Sequence, residues 1–201
     1  PIVTVGQAES EELLSLLDGK DFIEQTELLL SRVAGGDAVS LAILKGYALE
    51  GPIETRPLVQ TAVGQLYGEG IGVPQDDVEA ASWYRLAADQ GSARAQFSLA
   101  MKYADGEGVP QDDVEAANWH RLAAEQDHTR AQLMLGMMYA TGKGVPVDNV
   151  SAYAWWNVAS ASGDEEAQNS RSMLEKFMTP PQIAEGQKLS REIHERIRGN
   201  L

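Results

Sequence analysis

No cysteine occurs in the 201-residue chain, which excludes disulfides, thiolate catalysis and cysteine-ligated zinc or iron–sulfur sites. Reducing and oxidising compartments both tolerate such a sequence, so this absence assigns no location. Histidine is nearly as scarce. His120, His128 and His194 sit at no metal-ligand spacing, and His194-Glu195 is followed by Arg196-Ile197-Arg198 where a zincin needs a second histidine. Packed or solvated helix histidines are expected, with no metal and no cofactor. No apolar run approaches the roughly 18 residues that span a bilayer, so membrane insertion is not expected. Basic residues number 16 against 30 acidic ones, a net charge of −14. That field repels phosphate backbones and anionic headgroups, which argues against nucleic acid and for a neutral or basic protein or peptide partner.

What the chain does have is repetition. The pattern Tyr-x-x-Gly-x-Gly-Val-Pro-x-Asp-x-Val-x-Ala starts at Tyr67, Tyr103 and Tyr139, at a constant spacing of 36 residues. Residues 61–96 and 97–132 share 21 identities in 36 positions. A unit of this length cannot bury its apolar face alone and must stack on its neighbours. Each unit reads as a helical hairpin, one helix from Ser92 to about Tyr103 and one from about Asp112 to Glu125. Between them glycine permits positive φ and proline blocks continuation. Asp76, Asp112 and Asp148 then stand at helix N-caps, each contributing about 1 kcal/mol. In the second helix, Ala80, Trp83 and Ala87 recur as Ala116, Trp119 and Ala123 and as Ala152, Trp155 and Ala159. Spacings of three and four place them on one face, so tryptophan is expected in the core.

The ends lack the pattern. Residues 1–20 read as a mobile leader with a short helix from Ser10 to Leu17, and residues 21–55 as a degenerate hairpin that caps the array. In that hairpin Asp21 and Glu24 form a capping box, Gly35-Gly36 is a stop, and a second helix runs from Asp37 to about Glu50. Residues 56–170 hold three repeats. Residues 171–201 form a terminal cap, whose helix starts at Thr179-Pro180-Pro181-Gln182 and carries Leu189, Ile193 and Ile197 on one side. The first residues, Pro1-Ile2-Val3-Thr4, include no initiator methionine, as expected of a processed or trimmed chain.

These residues resemble the Sel-one-like repeat (SLR) family, relatives of the tetratricopeptide repeat. In the second unit the resemblance rests on Leu99, Tyr103, Gly106, Gly108, Val109, Asp112, Ala116, Trp119, Ala123 and Ala124, and it covers roughly residues 56–170. Ala100 departs from the glycine kept as Gly64 and Gly136; His120 and Trp156 depart from the tyrosine kept as Tyr84. The resemblance implies an all-α, right-handed α-solenoid of antiparallel hairpins with about ten or eleven helices. It also implies a scaffolding role, and in bacterial members frequent export, so a periplasmic or secreted location is expected. Two other readings stand beside it: a cell-envelope enzyme or small-ligand or cell-wall-binding protein, and a homo-oligomer built through an open end of the array.

No catalytic constellation emerges, and the chain is not expected to be an enzyme. Gly-x-Gly-Val-Pro lacks the strand, third glycine and lysine of a phosphate loop. The carboxylate runs Asp76-Asp77, Asp112-Asp113 and Asp164-Glu165-Glu166 fall at helix starts, where adjacent side chains diverge and cannot flank one bond. Function is therefore expected on a surface. In tetratricopeptide-like folds the first helix of each hairpin lines a concave groove. By position this gives Arg94, Phe97 and Met101, then Arg130, Leu133 and Met137, with Thr61 and Gln65 before them. The apolar members would adapt to a peptide, and the arginines would grip carboxylate or carbonyl groups.

Overall fold

The computed structural model describes Leu17 and residues 20–199. The leader and most of the expected Ser10–Leu17 helix lie outside these residues. Ten helices follow one another among the described residues: α1 (Phe22–Ala34), α2 (Ala38–Glu50), α3 (Arg56–Glu69), α4 (Asp77–Asp89), α5 (Ala93–Asp105), α6 (Asp113–Ala124), α7 (Thr129–Thr141), α8 (Asn149–Ala161), α9 (Glu165–Glu175) and α10 (Pro180–Gly199). They pack as sequential hairpins and divide into two compact units, Pro1–Gln90 and Gly91–Leu201.

In the first unit α1 packs on α2, α2 on α3 and α3 on α4. Leu29, Val33, Leu44, Val59, Val63 and Trp83 share one core, which Leu17 joins. Asp21 and Asp37 accept backbone N–H bonds at the starts of α1 and α2, as the sequence suggested. In the second unit α5 packs on α6, α6 on α7, and α7 on α8, while α8 is covered by both α9 and α10. Ile193 and Ile197 of α10 bury against Ala154, Trp155 and Val158 of α8.

That last contact explains a drift in the repeat. Leu86 of α4 and Leu122 of α6 are exposed, whereas Val158, 36 residues on, is buried. Likewise Ser82 and Asn118 are exposed, and Ala154 at the same place is buried. Where the terminal helix lies on it, the final hairpin has alanine in place of polar residues and a buried valine in place of exposed leucines, as a capping element requires. Thr179 starts that helix by donating its N–H and its hydroxyl to Gln182 Oε1, both at 2.9 Å.

The three motif loops close in the same way. The N–H of Asp76, Asp112 and Asp148 donates to the carbonyl of Tyr67, Tyr103 and Tyr139, each at 2.9 Å. This bond ties the end of the first helix to the start of the second and accounts for the constant tyrosine-to-aspartate spacing. The aspartate carboxylate then accepts from the backbone N–H groups of the second and third residues after it, in Asp112 from Val114 at 2.9 Å and Glu115 at 3.1 Å. Asp112→Ala is expected to cost about 1 kcal/mol in urea denaturation and Asp112→Asn much less. Equal losses would mean that the charge, and not the hydrogen-bonded cap, matters.

Of the tryptophans expected in the core, Trp83 and Trp155 are buried, while Trp119 is only partly so. The position after the tryptophan packs onto the first helix of its hairpin. A methyl group on Gly64 would stand 2.8 Å from the Tyr84 ring, and one on Gly136 would stand 2.6 Å from the Trp156 ring. The middle repeat has Ala100 and His120 at these two places. A larger residue on one helix is matched by a smaller ring on the other, which conserves volume.

Candidate functional site

The eight residues expected along the groove are not equivalent. In the first unit Thr61 is buried, and its hydroxyl donates to the Pro57 carbonyl at 2.6 Å. Gln65 is half-buried and donates to Glu69 at 2.9 Å. In the second unit Leu133 is buried beside Ala152, Trp156, Ala159 and Ala167, and its carbonyl accepts the Trp156 indole N–H at 3.1 Å. Thr61 and Leu133 therefore do not offer side chains to a partner. Thr61 satisfies its hydroxyl within its own helix, and α8 and α9 enclose Leu133. Arg94 and Arg130 are exposed, Phe97 and Met101 half-buried, and Met137 is 38% exposed.

Phe97 gathers two residues that groove reasoning passed over. Its ring stacks on His128 with centroids 4.8 Å apart, and His120 lies 5.5 Å away. His128 is the N-cap of α7: its Nδ1 accepts the Ala131 N–H at 3.2 Å. That bond needs a lone pair on Nδ1, so the neutral ring carries its hydrogen on Nε2. Burial lowers the His128 pKa below 6.5, and the charges of Arg94 and Arg130 lower it further, against a backbone hydrogen bond that acts in the opposite sense. His120 is 1% exposed, and neither ring nitrogen has a hydrogen-bond partner. Burial above all, and then His128, pushes its pKa down to about 4, so it is neutral at physiological pH.

Both histidines carry a signal in the repeat register. His128 aligns with Ser92 and Asp164, which are also N-caps; His120 aligns with Tyr84 and Trp156. Asp127 aligns with Gly91 and Gly163 and adopts φ +62°, a left-handed conformation that glycine takes without strain. Two of the middle repeat's departures, His120 and His128, thus meet at one aromatic ring.

Chemically, this surface offers two guanidinium groups, an imidazole N–H, an aromatic edge and two flexible thioethers. Those groups suit contact with a peptide. Among the described residues no group of three histidine, aspartate or glutamate side chains could hold a metal ion, and no helix is long and apolar enough to cross a membrane.

Sequential helical hairpins with a recurring 36-residue period define an all-helical repeat protein. The Sel1 repeat pattern matches residues 57–92, 93–128 and 129–164, more than half of the chain, and the protein belongs to that family. Among solved structures, a Sel1 repeat protein from Oxalobacter formigenes is 36% identical with a TM-score of 0.58, over 60% of this chain and 49% of that one. A protective antigen present in uropathogenic Escherichia coli strains, displaying an SLR fold, is 27% identical with a TM-score of 0.67, over 94% of this chain and 44% of that one. The chain spans less than half the length of either. Among curated proteins none matches it.

Proposed function

We propose that the protein is a non-catalytic interaction scaffold that docks a peptide or protein segment on the exposed face of α5 and α7. The observation that carries this reading is the half-buried Phe97 stacked on His128, with exposed Arg94 and Arg130 and the adaptable Met101 and Met137 on the same two helices. An aromatic anchor beside arginine is the usual composition of a binding hot spot. Membership of a repeat family whose scaffolds commonly mediate protein interactions supports the reading. The net charge of −14 favours encounter with a partner that is neutral or basic as a whole. The description of the Escherichia coli relative as a protective antigen supports an exported location.

The test is a pull-down comparing the native chain with a Phe97→Ala, Arg130→Ala, Met137→Ala variant whose helicity is checked by circular dichroism. Partner recovery is expected to fall at least tenfold. Unchanged recovery by the folded variant would remove this face from consideration.

A further inference from the structure

In the first unit one glycine has no packing reason to be glycine. Gly46 lies in the interior of α2, where only proline is less favourable. A methyl group on Gly51 would run into the Tyr47 carbonyl, but one on Gly46 would meet nothing within 4 Å. That space belongs to an open cavity of about 520 Å³, which Gly46 lines together with Ile43, Tyr47 and Glu50 of α2 and Phe22 and Gln25 of α1. Spacings of three and four on each helix put these residues along one groove. The volume falls within the range of about 300–1,000 Å³ usual for a ligand pocket.

The lining groups decide what the groove can take. The Phe22 and Tyr47 rings meet with centroids 4.9 Å apart and their planes tilted by 31°. The Tyr47 hydroxyl donates to Gln25 Oε1 at 2.7 Å, and Gln25 Nε2 donates to the carbonyls of Leu17 at 3.2 Å and Lys20 at 2.9 Å. Tyr47 and Gln25 therefore spend all their side-chain donors inside the protein, which leaves them none for an anion. The exposed Glu50 carboxylate, by contrast, forms no ion pair among the described residues. Of the cations near it in the chain, Arg56 donates to the Gly51 carbonyl at 2.9 Å, and Lys45 faces Glu79 at 3.8 Å and the Tyr67 ring at 4.7 Å. Lys20 is outnumbered by Asp21, Glu24 and Glu54, so the local balance stays negative.

We infer that this groove holds an aromatic side chain of a partner protein, flanked in the partner's sequence by a lysine that pairs with Glu50. Two rings and an isoleucine receive a third ring in a tilted or offset arrangement, and the side chain missing at Gly46 is the room it enters. The unspent carboxylate and the net charge of −14 select the basic neighbour. This site lies in the first unit and stands independently of the docking face on α5 and α7.

The test follows the backbone amide NMR signals of the isotope-labelled chain during titration with three peptides, all with blocked ends: Ser-Lys-Phe-Lys-Ser, Ser-Lys-Ala-Lys-Ser and Ser-Glu-Phe-Glu-Ser. The first is expected to bind at least tenfold more tightly than the other two and to shift the amides from Ile43 to Gly51. Gly46→Leu should fill the cavity and abolish binding while leaving the urea midpoint unchanged or higher. Glu50→Gln should remove the preference for lysine over glutamate and keep that for phenylalanine over alanine. Equal binding of the phenylalanine and alanine peptides, binding that survives Gly46→Leu, or saturable binding of none up to millimolar concentration overturns the site. A lowered midpoint in Gly46→Leu would also count against it, because glycine would then be needed for packing. Shifts confined to α5 and α7 would overturn it too, while supporting the docking face there.

Discussion

Replacing Gly144 by alanine is expected to destabilise the second unit by about 3 kcal/mol or more, whereas the same change at Gly142 should cost about 1 kcal/mol. The two glycines belong to one loop and have nearly the same backbone, φ +76° at Gly142 and +69° at Gly144. Conformational strain alone would make them equal. Their surroundings differ. A methyl group at Gly142 would approach Val147 Cγ2, a side-chain tip that can move. At Gly144 it would overlap the backbone carbonyl of Asp113, at the start of α6, which cannot yield without displacing the preceding helix. Gly72 meets the Val33 carbonyl of α1 in the same manner within the first unit. Urea denaturation of the two alanine variants measures the difference; equal losses would show that the loop lifts off its neighbour at little cost.

Acidification should destabilise the protein before its carboxylates begin to titrate. An unfolded histidine takes up its proton near pH 6.5, while His120 in the fold resists it until about pH 4. The folded-state pKa is depressed, so the unfolded chain binds more protons between these values. Stability is full above about pH 6.5, falls as the pH drops towards 4, and levels off below. Between pH 7 and pH 5 the loss from this residue is roughly 2 kcal/mol, from 1.36 kcal/mol for each pH unit below 6.5. His128, whose pKa is also lowered, acts in the same direction. Restoring the pairing of the neighbouring repeats with Ala100→Gly and His120→Tyr should at least halve the slope. Denaturation midpoints at pH 7 and pH 5, compared between the native chain and this double variant, check it. An unchanged slope would mean that His120 reaches solvent or finds a partner.

The local chemistry of the fold was legible in the chain because repetition makes each residue's task visible several times. Asp112 caps α6, Gly106 ends α5 in the left-handed conformation, and α10 starts at its Thr-Pro-Pro-Gln segment. Each depends on residues only a few positions apart, and such short-range hydrogen bonds follow from residue type and spacing. The candidate site was less legible. Assigning Thr61, Phe97 and Leu133 to one exposed stripe assumed that equivalent positions have equivalent surroundings. They do not, because α8 and α9 enclose Leu133 in the core of the last hairpin. The histidines were visible in the repeat register, His128 at a cap position and His120 at a ring position, but their meeting around Phe97 joins residues 23 and 31 positions away.

By itself the sequence determined the repeat, its helical hairpins, the aspartate caps that start α1, α2, α4, α6 and α8, and the family to which the chain belongs. All of these are set by interactions within a single 36-residue period. Tertiary structure alone decided which motif glycine tolerates no side chain, which ring loses its hydrogen-bond partners, and which apolar residues stay at the surface. Those outcomes depend on how closely one backbone approaches another, and that distance is written in no single repeat.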